Sequence, residues 1–79
     1  MKEYERRINT IIKAYKVSSP TLEEAIEQIG KDALRAIEKK DSRYWEERRR
    51  KFEDYANNWK KELLDSLEEV VKKELKNDF

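Results

Sequence analysis

A chain of 79 residues, 47% charged and 37% hydrophobic, has room for one small domain over 1–79, and its 19 basic and 18 acidic side chains leave a net charge of only +1. That balance provides no global field to steer the protein toward nucleic acid or an anionic membrane. The chain contains no Cys and no His, which excludes disulfides, thiolate and imidazole metal sites, and Ser-His or Cys-His catalysis.

The chain opens Met1-Lys2-Glu3-Tyr4-Glu5, without the apolar core of a signal peptide. No stretch approaches the eighteen or so apolar residues of a membrane span. With one Gly and one Pro in the whole sequence, turn signals are few, and the expected elements are long helices.

Met1, Tyr4, Ile8, Ile11 and Tyr15 recur at spacings of 3 and 4, and Ile12 widens the stripe. This predicts an amphipathic helix over about 2–17. Lys13 and Lys16 fall in its last turn, where the helix dipole favours cations. Val17-Ser18-Ser19-Pro20 is a loop, because the residue before a proline is pushed out of the α region. Thr21-Leu22-Glu23-Glu24 then reads as a capping box; the alternative is Ser19 as cap with Pro20 in the first helical position.

Leu22, Ala25, Ile26, Ile29, Ala33, Ala36 and Ile37 share one face, which predicts a second helix over about 21–40. The apolar phase runs through Gly30 unbroken, so a continuous helix is favoured over a stop at Gly30 with Asp32 capping a new one. Asp41 or Ser42 can cap a third helix.

From Ser42 to Asn77 the helical pattern persists, and one helix over about 42–77 is expected. Trp45, Phe52, Ala56, Trp59 and Leu63 make one stripe; Leu63, Leu64, Leu67, Val70, Val71 and Leu75 make a second, rotated by several tens of degrees. An unbroken helix of this length would span about 54 Å, beyond the reach of either earlier helix. The C-terminal stripe therefore needs a fold-back at Asn57-Asn58, or a second chain packed on Leu64, Leu67, Val71 and Leu75.

The expected fold is thus all-α, a bundle of three helices near 2–17, 21–40 and 42–77, with four as the alternative if the last breaks at Asn57-Asn58. Its expected core holds Ile8, Ile11, Ile12, Ile26, Ile29, Ile37, Trp45, Phe52, Trp59, Leu63, Leu67 and Val70. A monomer is favoured over a homodimer, because the apolar face turns where the two Asn occur.

A catalytic carboxylate needs burial, whereas Glu23, Glu24, Glu27, Glu46, Glu47, Glu68 and Glu69 fall mostly opposite the apolar stripes. Pairs such as Glu27 with Lys31 and Glu69 with Lys73 are expected surface supports. One Gly cannot build a phosphate-cradling loop. No catalytic, cofactor-binding or metal-binding residue is assigned; no cofactor, no small-molecule substrate and no membrane partner are expected.

The one local asymmetry runs from Lys39 to Lys51, seven basic residues against three acids, with Tyr44 and Trp45 interleaved and Phe52 and Tyr55 adjacent. Basic residues beside aromatics can grip phosphate and stack bases. Against this, Trp45, Phe52 and Trp59 lie on the core stripe, and the stem of Arg48 can lie along apolar surface. The candidate partner-binding residues are Arg43, Tyr44, Arg48, Arg49, Arg50 and Lys51.

Pro-Thr-Leu-Glu-Glu-Ala at a helix start, Leu-Leu-Asp-Ser-Leu-Glu-Glu-Val-Val-Lys-Lys-Glu-Leu at the end, and the near absence of Gly resemble a computationally designed helical bundle. Asn9, Thr10, Asn57 and Asn58 depart from that style. Residues 8–56 also resemble an FF domain, a small helical module that binds phosphorylated or acidic peptides. The similarity lies in Leu22-Glu23-Glu24-Ala25-Ile26-Glu27-Gln28-Ile29 and Glu47-Arg48-Arg49-Arg50-Lys51-Phe52-Glu53-Asp54-Tyr55. Ile8 stands where that family has a Phe, Leu22 where it has a Trp, and Asp41-Ser42-Arg43-Tyr44 lacks the Pro of its Asp-Pro-Arg-Tyr turn.

Three functional expectations follow. A structural scaffold, designed and without natural catalytic activity, ranks first. An FF-like protein-interaction module ranks second, and a weak nucleic-acid binder using Arg43 to Lys51 ranks third. A natural protein of this composition would be expected in the cytoplasm.

Overall fold

The computed structural model describes residues 2–56 and 60–77. The described residues form four helices and no strand: α1 (Glu3–Ala14), α2 (Pro20–Lys39), α3 (Ser42–Ala56) and α4 (Lys61–Glu74). The chain is all-α, but the expected three-helix arrangement is overturned. No single helix runs over 42–77; α3 ends at Ala56 and α4 begins at Lys61. The expected break point, Asn57-Asn58, lies outside the described residues.

The physical reason is the mismatch of the two apolar stripes. A straight helix would carry Leu64, Leu67, Val71 and Leu75 past the ends of α1 and α2. Folded back, all four are buried within the chain, and each fully buried aliphatic side chain is worth about 1.5–3 kcal/mol.

Helix α2 packs against α1, α3 and α4, and α4 packs against the other three, whereas α1 and α3 do not touch among the described residues. So α2 and α4 form the centre, flanked by α1 and α3. The core follows from this arrangement. Ile8, Ile26, Ile29, Ile37, Trp45, Phe52, Leu63, Leu67 and Val70 are buried as expected, joined by Ala33, Ala36, Leu64, Val71 and Leu75. Ile11 and Ile12 are only partly buried, because α1 lies on the flank and meets just two neighbours. Trp59, expected in the core, lies outside the described residues.

Helix ends show which local signals were decisive. Ser19 caps α2, its hydroxyl oxygen 3.5 Å from the Leu22 amide, with Pro20 in the first turn. The alternative reading of that boundary is therefore the one that forms, and the Thr21-Glu24 box does not set the start. Helix α2 passes through Gly30 without a stop. A Cβ on residue 30 would lie 2.8 Å from Ile12 Cδ1, so the bare glycine lets α1 and α2 approach closely. Asp41 caps α3, accepting the Tyr44 amide proton at 3.0 Å. Helix α1 stops at Ala14, three residues short of its expected end. Thr10 is accommodated inside α1 because its hydroxyl donates to the Arg6 carbonyl at 2.9 Å.

Lys40 closes α2 in the left-handed region, at φ 54° and ψ 48°. This is the position glycine ordinarily occupies, and a Cβ there is strained. Replacing Lys40 with glycine should raise stability by about 0.5–1 kcal/mol. The check is the urea midpoint of the variant, which should rise with an unchanged denaturant slope; a lower midpoint would show that Lys40 contributes something its strain conceals.

Candidate interaction surface

Four consecutive basic residues, Arg48 to Lys51, occupy α3. On a helix consecutive residues are rotated by about 100°, so such a run cannot form one face. The structure separates them accordingly.

Arg49 turns toward α4. Its Nε bonds Glu53 Oε1 at 2.8 Å, Nη2 bonds Asp65 Oδ1 at 2.6 Å, and Nη1 pairs with Glu68 Oε1 at 2.9 Å. Its side chain is only 15% exposed. Glu68 also accepts the Trp45 indole N–H at 3.2 Å and pairs with Lys72 at 3.4 Å. Burial works to lower the Arg49 pKa; the hydrogen bonds to Glu53 and Asp65, and the charge and hydrogen bond of Glu68, outweigh it and hold the group above its ordinary value. Arg49 is thus a clasp between α3 and α4, and it is withdrawn from the surface on which the run suggested it.

Tyr44 and Arg48 belong to a second cluster. The Tyr44 ring is half-buried at the α2–α3 corner. Lys39 Nζ lies 4.8 Å from its centroid and the Arg48 guanidinium carbon 5.0 Å. One cation arrives from α2 and the other from α3, both within the reach of cation–π attraction. Lys39 was legible as part of the basic stretch, but its convergence on Tyr44 was not, because the two are joined only by the turn at Lys40.

Arg48 and Lys51 also border a recess of about 200 Å³ with Asp32, Phe52 and Tyr55. Asp32 is 8% exposed and accepts a hydrogen bond from Gln28 Nε2 at 3.1 Å. Tyr55 is 57% exposed. Arg50 lies in a shallow depression with Glu46, Arg49 and Glu53, and Arg43 is exposed. Of the six residues singled out in the sequence, the fold therefore joins Tyr44 with Arg48 and brings Lys51 to the same side of α3. It sends Arg49 into the α3–α4 contact.

The surface pairs also differ from expectation. Neither Glu27–Lys31 nor Glu69–Lys73 forms an ion pair; Arg49–Glu53, Lys72–Glu68 and Arg6–Glu3 do, along the helices. No buried side-chain nitrogen or oxygen among the described residues lacks a hydrogen-bond partner. No helix among them is long and apolar enough to cross a membrane.

A larger recess, a groove of about 670 Å³, runs between α1 and α2 over Ile8, Ile12, Gly30 and Leu34. Nothing in the sequence reading pointed to it. The available signal was the poor helix formers Asn9 and Gly30 inside otherwise regular helices.

Comparison with family models, with curated proteins and with solved structures finds no match to this chain.

Proposed function

We propose that the chain is a structural helical-bundle scaffold without natural catalytic activity, of the kind that designed bundles represent, and that it is a monomer. The observation that carries this reading is the use made of its most distinctive polar group. Arg49, the centre of the basic run, is engaged with three carboxylates in holding α3 to α4. The same economy extends to Leu64, Leu67, Val71 and Leu75, the face suited to a second copy, which the chain buries against itself.

A second reading, an FF-like module for phosphorylated or acidic peptides, is favoured by one observation: Lys39 and Arg48 meet at Tyr44. One sample tests both. Light scattering behind a sizing column should give a mass near 9.7 kDa on dilution to low micromolar. Titration of the labelled protein with phosphotyrosine and phosphoserine peptides, and with single-stranded RNA at low salt, should leave the amide spectrum around Tyr44 and Arg48 unmoved. Saturable phosphopeptide shifts there, lost in Arg48→Ala, would replace the scaffold by the interaction module. RNA affinity that falls steeply with salt would instead identify a phosphate-binding surface. A doubled mass would refute the monomer.

A further inference from the structure

We propose that the chain, folding at high concentration, exchanges α4 with a second copy of itself, giving a two-fold dimer in which each α4 packs on the other copy's α1, α2 and α3.

Strain sits at the start of α4. Lys60 precedes the helix in the left-handed region, at φ 59° and ψ 41°, where a residue with a Cβ is strained. Its side chain carries no acceptor atom, so it cannot cap the first amides of the helix. Its ammonium lies 5.7 Å from the Tyr15 ring of α1, near the outer limit of cation–π attraction. The other boundaries are specified locally. Ser19 caps α2 and Asp41 caps α3. Lys40, also left-handed, is enclosed by bonds from its own amide to the Ile37 carbonyl and from the Asp41 amide to the Ala36 carbonyl, at 3.1 and 3.0 Å. Only positions 57–60 separate α3 from α4, and they include neither Gly nor Pro. A short connection under strain is the condition that favours exchange of an element between copies.

Contact with other helices holds α4 in place. Leu63, Leu64, Leu67, Val70 and Val71 are 0% exposed, and α4 packs on all three of the other helices. Arg49 pairs with Asp65 and Glu68, and the Trp45 indole N–H donates to Glu68. Each of these contacts joins α4 to another helix, so the α4 of a second copy can make each with the same geometry. Exchange therefore preserves the α4 interface and changes only the connection, where Lys60 is freed to leave the left-handed region. The opposing term is the translational freedom lost on pairing, which weighs less as concentration rises. Helix α1, the other terminal element, lacks these conditions. It packs on only two helices, and its connection to α2 carries no left-handed residue among the described residues. Because α4 is buried against three helices, it changes partners during folding, and the exchanged dimer is then trapped.

The test unfolds the full chain in urea and refolds it at millimolar and at low micromolar concentration, with light scattering behind a sizing column. Millimolar refolding should yield a dimer that persists on dilution, and micromolar refolding only monomer. When ¹³C-labelled and unlabelled chains are refolded together, isotope-filtered spectra of the dimer should show the Trp45 indole proton of one copy beside Glu68 of the other. Lys60→Gly, which removes the strain in the closed form, should lower the dimer yield about fivefold. Lys40→Gly, left-handed in both forms, should leave it unchanged. The proposal is overturned by monomer alone after millimolar refolding, or by a dimer without the Trp45–Glu68 contact between copies. It is equally overturned if Lys60→Gly leaves the yield at the parent's level or Lys40→Gly lowers it as much. The monomeric scaffold reading is tested separately, on dilute protein that has never been unfolded, so the two can fail independently.

Discussion

Replacing Trp45 with alanine should remove about 3–5 kcal/mol of unfolding free energy. The indole is 0% exposed, the largest fully buried side chain among the described residues. It sits on α3, and its N–H reaches Glu68 of α4, so one residue supplies both packing and a directional bond across the α3–α4 contact. A domain of this size has a total margin of roughly 0.05–0.15 kcal/mol per residue, and the loss takes a large part of it. Trp45→Phe keeps most of the apolar volume but gives up the N–H, and should cost about 1–2 kcal/mol. Urea unfolding followed by circular dichroism measures both without relying on tryptophan emission. An alanine variant less than about 1 kcal/mol below the parent would show that Trp45 does not organise the core.

The second large effect concerns Arg49. Arg49→Ala should cost about 1–3 kcal/mol, less than a wholly buried pair because Asp65 and Glu53 are partly solvated. Removing the guanidinium leaves three carboxylates facing one another, with only Lys72 near Glu68. Arg49→Lys should recover less than half of the loss, since one ammonium cannot reproduce a planar fork that engages Glu53, Asp65 and Glu68 together. Arg50→Ala is the internal control: it is the next residue, equally basic and exposed, and should change stability by no more than about 0.5 kcal/mol. Equal losses at 49 and 50 would remove the clasp from the account. The sign with pH follows from the raised Arg49 pKa. A group whose folded pKa lies above its unfolded one contributes stability fully below the unfolded value and loses it as pH rises through the folded value. For arginine that window is strongly alkaline, so the difference between Arg49 and Arg49→Lys should stay level through neutral and moderately alkaline pH.

Much of the fold was legible in the residues. The 3–4 spacing of Tyr4, Ile8 and Ile11 marked α1, and the unbroken phase through Gly30 marked α2 as one helix. Asp41 supplied the cap of α3. The buried faces were legible for the same reason: a helix of known period puts a known set of side chains on one side. The site was less legible. A basic run reads as a patch in one dimension, but helical rotation turned Arg49 inward and left Arg48 beside Tyr44, and no local signal says which neighbour each will meet.

By itself, the sequence determined that this protein is all-α, that it lacks imidazole and thiol chemistry, and most of the side chains that face inward, with Ile11 and Ile12 left only partly buried, because composition and period are properties of the chain alone. Only the tertiary structure decided that the segment over 42–77 becomes two helices rather than one, since what was at stake was where the stripe of Leu64, Leu67, Val71 and Leu75 would find apolar surface, and that depends on where α1 and α2 end in space. Tertiary structure alone also decided the role of Arg49 and the groove above Gly30. Each is made by residues from two helices, and contacts between helices have no period in the sequence from which to read them.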